Sequence, residues 1–172
     1  MTAVSITEPA TMITDYLLAL ASVIFAVSLL RQRARGLEKS LLLWGIGFLT
    51  AAVAAVVGGT YHGFALYFSE SSHRATWNVT VLLIGISVGL FIAAILTTKL
   101  TAARRRWLVA GASLSVIGLF IQQSGLAMLR HFNHNDLYHC IQAVAFFAFF
   151  NFARDTTPDQ AAAIRPLSNI PR

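Results

Sequence analysis

Residues 41–66, LLLWGIGFLTAAVAAVVGGTYHGFAL, contain no aspartate, glutamate, lysine or arginine. A helix of about 20 apolar residues crosses a bilayer, and this run exceeds that length. Small residues recur along it (Gly45, Gly47, Ala51, Ala52, Ala54, Ala55, Gly58, Gly59), which lets neighbouring membrane helices approach closely. The stretch therefore reads as the inner helix of a membrane bundle.

Comparable apolar runs lie on either side, at residues 12–30, 79–98, 107–126 and 137–153. The expected fold is all-α: an integral membrane bundle of five transmembrane helices over residues 12–153, with a short extracytoplasmic segment, 1–11, and a cytoplasmic tail, 154–172. Segment 1–11 has no lysine or arginine, so the basic start of a cleavable signal peptide is missing and the first helix is expected to stay in the mature chain. The polar stretch 69–76 reads as a loop, with Trp77 as an interface anchor. The short link 99–106 predicts that the third and fourth spans pack as antiparallel neighbours. Three prolines, Pro158, Pro166 and Pro171, predict a loosely ordered tail.

Composition agrees. The 172 residues are 56% hydrophobic and 12% charged, with a mean hydropathy of +0.67; an ordinary soluble domain carries roughly 25% charged residues. The net charge of +6 comes from clusters between apolar runs rather than from a polar face, which argues against a nucleic-acid partner. Of the thirteen basic residues, eleven fall after spans one and three and in the tail, and only Arg74 and Arg130 fall on the other side. By the positive-inside rule the N-terminus is outside and the C-terminus cytoplasmic, as expected of a multi-pass protein of the bacterial inner membrane. Cys140 is the single cysteine, which excludes an internal disulfide and a thiolate metal cluster and leaves packing as its expected role.

This topology puts all five histidines at the outer end: His62 closing span two, His73 in the following loop, and His131, His134 and His139 around the entry to span five. Ionisable groups at the mouth of a membrane helix are costly and point to a functional site. In a helical fifth span, Asp136 shares a face with His139 and Cys140, and Gln142 extends that polar stripe a turn deeper. His62, beside Gly58, Gly59 and Gly63, is the facing group.

Three readings follow. His62 and His139, with Asp136 or His134, can hold zinc or another divalent metal, leaving a position for an activated water and a carboxylate such as Asp136 to move protons. The same residues can instead tie helices together by hydrogen bonds. Alternatively, His62 and His139 ligate haem or another pigment. His73 is expected to be solvated and His131 to lie at the headgroup surface. Asp15 could pair with Arg74, Arg130 or a histidine, but its expected role is the plain one of stabilising exposed N–H groups at a helix start. The phenylalanines at 146–152 are expected to pack or to face lipid. Membrane lipids are the expected partners, with a homo-oligomer or a place in a larger membrane complex left open.

The motifs Gly59-Thr60-Tyr61-His62-Gly63 and His134-Asn135-Asp136-Leu137-Tyr138-His139-Cys140-Ile141-Gln142 resemble those of an uncharacterised group of small bacterial membrane proteins. More remotely, the chain is similar to the membrane hydrolase superfamily of alkaline ceramidases and adiponectin-receptor-like proteins. That resemblance implies zinc held by an early histidine, matched by His62, and by histidines of the last helix, matched by His139, and hydrolysis of an ester or amide in a lipid. Three features depart from the superfamily: Gly58 stands where a serine is usual, Asn135 where a histidine is usual, and five spans replace seven.

Overall fold

The computed structural model describes residues 5–34, 39–125 and 132–154. The surface position expected of His131 and the loose order expected of the tail therefore lie outside the described residues.

Five α-helices make up the fold: α1 (Pro9–Arg33), α2 (Lys39–Phe64), α3 (Glu70–Thr97), α4 (Ala102–Ser124) and α5 (His134–Arg154), with a short 3-10 turn, Ala65–Tyr67, after α2. The described residues contain no strand. The protein is thus the expected all-α bundle, and α1 to α4 are long and apolar enough to cross a membrane. At 21 residues, α5 is about 30 Å long, yet its first turns are polar.

Helix starts follow local chemistry. Pro9 occupies the opening turn of α1, where its missing N–H costs nothing. Ser69 accepts a hydrogen bond from the Ser72 N–H at 3.2 Å and caps α3. The helix consequently begins at Glu70 and takes in most of the polar stretch expected to be a loop. Thr101 caps α4 in the same way through the Arg104 N–H. At the start of α5, the Asn133 side chain accepts from the Asn135 and Asp136 N–H groups at 2.8 and 3.3 Å, and Asp136 Oδ2 accepts from the Asn133 N–H at 2.6 Å. This is a reciprocal capping box with Asn and Asp as its members.

The most buried of the spanning helices is α2, flanked by α1 and α3; α5 packs along α1, and α4 packs on α5. Close approach along α2 depends on its small residues. A Cβ on Gly47 would fall 2.6 Å from the Phe91 ring of α3. The link between α3 and α4 is indeed short, but the two helices do not pack as neighbours. Gly111 and Gly118 fit α4 against Phe149 and Tyr138 of α5 instead, so α4 follows the glycine-matched surface rather than the nearest one.

The core is aromatic. Trp44 and Phe48 of α2 meet Phe91 of α3 at 4.8 and 4.9 Å, Phe48 meets Phe146 of α5 at 5.6 Å, and Phe25 of α1 stacks on Phe150 at 4.8 Å. Most of the phenylalanine series of α5 thus packs inward, while Phe147 is largely exposed.

Candidate functional site

The beginnings of α1, α3 and α5 and the end of α2 meet at one end of the bundle, away from the basic linkers. Because α1 starts at Pro9, Asp15 lies within the helix rather than at its cap. It falls on the inward stripe Thr11, Asp15, Leu18, Ser22, spaced at helical intervals. The expected capping role of Asp15 is corrected accordingly: its carboxylate is buried and faces α5. Gly58 and Gly59 of α2 make room for it. A Cβ on Gly59 would lie 2.9 Å from Asp15 Cβ and 2.8 Å from the Tyr16 ring, whereas one on Gly58 would lie 3.6 Å from Asp15 Oδ2, an ordinary contact.

His139 reaches across from α5 and lies against two successive residues of α1. Its Nδ1 is 3.2 Å from Thr14 Oγ1 and its Nε2 is 3.3 Å from Asp15 Oδ1, with both partners of the second contact nearly excluded from solvent. Since α1 and α5 both begin at this end, they run parallel. Thr11 and Asp136 each lie about one turn before that contact on their own helix. Three buried oxygens of these residues have no hydrogen-bond partner among the described residues: Thr11 Oγ1, Asp15 Oδ2 and Asp136 Oδ1. An unpaired buried polar group typically costs about 1–3 kcal/mol, so three within two turns mark a place shaped for something else.

His62 is present at the same end in a different pairing. Its Nδ1 is 3.1 Å from Glu8 Oε2, and the Glu8 N–H donates to the His62 carbonyl at 3.2 Å. The Thr7 N–H donates to the Gly63 carbonyl at 3.0 Å, so residues just before α1 lie across the end of α2. His62 and Asp136 are both within electrostatic range of His139.

Other expected residues take separate places. His134, at the first position of α5, makes no side-chain hydrogen bond or ion pair among the described residues. His73 is half-buried and packs its ring, tilted, against Tyr61 at 4.2 Å, rather than standing free in solvent. Gln142 turns toward α4, its Nε2 3.4 Å from Ser115 Oγ, and so leaves the stripe of Asp136 and His139. Cys140 is exposed, not packed. Thr60 donates to the Val56 carbonyl and meets Tyr16 Oη at 3.1 Å. Among the described residues, no three His, Cys, Asp or Glu side chains stand as a ready-made set of metal ligands.

Sequence reading missed Glu8, Thr11 and Thr14. Their signal was Pro9: a helix beginning there carries Thr11 and Asp15 on one face, and Thr14 beside them.

Fold and site together define a small all-α bundle, with four helices long and apolar enough to cross a membrane and a buried Asp–His pair at one end. The chain belongs to a family of unknown function, DUF6962, whose model matches residues 10–108 and 88–157 and so includes Thr11, Thr14, Asp15, His62, Asp136 and His139. No curated protein and no solved structure matches the chain.

Proposed function

We propose that the Asp15–His139 end binds a divalent metal, with zinc the ion best suited to one imidazole among carboxylates, and that the chain is a metal-dependent hydrolase of a lipid ester or amide. The observation that carries this is the set of three buried oxygens without partners beside His139. Each can offer a lone pair, and a bound cation would satisfy them together. The Nε2–Oδ1 separation of 3.3 Å supports the reading. Two ligands each about 2.0–2.1 Å from a tetrahedral zinc stand about 3.3 Å apart.

Asp15 and His139 would be the first two ligands, with Asp136 turning its free oxygen in as the third. A bound metal would lower the pKa of a water and polarise a carbonyl. His62 and Glu8, at the outer edge, would carry protons to and from the reaction. The topology of the basic residues argues that this end is the non-cytoplasmic one, at the lipid headgroup level of a bacterial inner membrane. The remote likeness to ceramidase-type hydrolases points the same way.

One observation favours a second, non-enzymatic reading: both ring nitrogens of His139 already have partners on α1, as in a hydrogen-bonded helix clamp. A haem or pigment ligated by His139 would require Nε2 to leave Asp15.

The test uses purified protein in phospholipid vesicles doped with an N-acyl sphingolipid. The proposal expects zinc-dependent release of fatty acid, lost on chelation and in His139→Ala, and no visible absorption band. No release with added zinc, or release indifferent to both changes, overturns the hydrolase reading; a coloured protein would favour the cofactor alternative.

A further inference from the structure

Thr14 Oγ1 lies 3.0 Å from the carbonyl oxygen of Thr11, one turn back on α1, and donates to it. This is the back-bond that helical threonines commonly make. A hydroxyl has a single proton, so with that proton on the Thr11 carbonyl the contact with His139 Nδ1 at 3.2 Å is filled by a proton from the ring. The Nδ1–H then donates to Thr14. The chain of donors runs from the ring to the hydroxyl to the backbone carbonyl, and it ends on an atom that cannot reverse it.

We infer that Thr14 is a positioning residue: it holds the Nδ1 proton of His139 and thereby turns Nε2 toward Asp15 as the nitrogen free to take a metal or an acid proton. The lone pair of Nε2 and the carboxylate oxygen Oδ1 face each other across 3.3 Å, a gap that only a proton or a metal ion can occupy. Metal-binding histidines are characteristically fixed in this way through their other ring nitrogen. Here the fixing group is a neutral hydroxyl, placed next in sequence to the carboxylate that shares the ring, so a single turn of α1 supplies both partners. The opposite arrangement, with Thr14 donating to Nδ1 and Nε2–H donating to Asp15, would leave the Thr11 carbonyl without this proton and Nε2 with no lone pair to offer. The effect on metal affinity rests on the metal reading above; the tautomer does not.

The experiment is nitrogen-15 NMR of the histidine rings in the full chain, reconstituted in lipid nanodiscs without metal, with His139 assigned by its absence in His139→Gln. The expected result is a protonated Nδ1 in the unaltered protein, preserved in Thr14→Ser and lost in favour of the neutral Nε2–H tautomer in Thr14→Val. A bare Nδ1 in the unaltered protein, or a Thr14→Val spectrum identical to it, overturns the inference. Should Thr14→Val fail to fold, the unaltered protein alone decides. In a second arm zinc alone is titrated: Thr14→Val should bind it about 10–100-fold more weakly and Thr14→Ser within a few-fold of the unaltered chain. Equal zinc affinity in Thr14→Val overturns the positioning role. A protonated Nδ1 in a chain that binds no zinc supports Thr14 and overturns the metal reading alone.

Discussion

The two ends of the bundle leave opposite kinds of atom unpaired. At the end where α1 and α5 begin, the outer one by the count of basic residues, the unpaired atoms among the described residues are oxygens of Thr11, Asp15 and Asp136; at the opposite, inner end they are nitrogens, Trp44 Nε1 and Arg33 Nε. Trp44 is completely buried among Phe48, Phe91, Phe149 and Phe152, where close ring contacts offset its idle N–H. The outer oxygens stand among polar groups such as Thr14 and His139 rather than in a cluster of packed rings. Packing therefore holds the inner end, and the outer end carries a deficit that a cation would remove. Sites that sacrifice local stability in this way are where function is expected.

The sharpest way to break the comparison is at the inner end. Trp44→Ala removes the centre of the aromatic cluster and should destabilise the fold by about 3–5 kcal/mol, toward the lower value because an unsatisfied donor leaves with it. Thermal unfolding in detergent measures this; a shift no larger than that of a surface substitution would show that the cluster does not hold the bundle together. At the outer end, Gly59→Ala pushes a methyl group into Asp15 Cβ and the Tyr16 ring, and should cost about 1–3 kcal/mol while displacing the carboxylate. Unaltered stability together with unaltered zinc binding would mean that α1 and α2 can separate without consequence. The smallest effect has the opposite sign. Gly58→Ser places a side chain in ordinary contact with the unpaired Asp15 Oδ2, so its hydroxyl can donate there and stabilise the metal-free chain by roughly 1 kcal/mol. A loss of stability would show that the carboxylate is not short of a donor.

The contrast also explains what could be read from the sequence. The helices were legible because each is a long apolar run bounded by charge, and the gathering of His62, His73 and His139 at one end followed from the alternation of the spans. Local chemistry hid the rest. Ser69 has the side chain of a cap and Glu70 the charge of a first turn, yet their polar surroundings resemble a loop. Asp15 looked like a cap because the apolar run begins at Met12; Pro9 moves the helix start outward and turns the same aspartate into a buried partner of His139. The pairing of His62 with Glu8 depends on residues 5–8 lying across α2, a long-range placement that no local pattern encodes. The position of α4 depends on glycines matched to rings on α5, which a short linker does not reveal.

The most direct test of the central claim is the metal content of the protein purified from zinc-supplemented cells, measured for the unaltered chain and for Asp15→Asn, with thermal unfolding of both in metal-free buffer. The account predicts about one metal ion per chain in the unaltered protein, its loss in Asp15→Asn, and a metal-free variant at least as stable as its parent, because a buried carboxylate oxygen without a partner has been replaced by a neutral amide. No metal in the unaltered chain, or the same content in both, would contradict it.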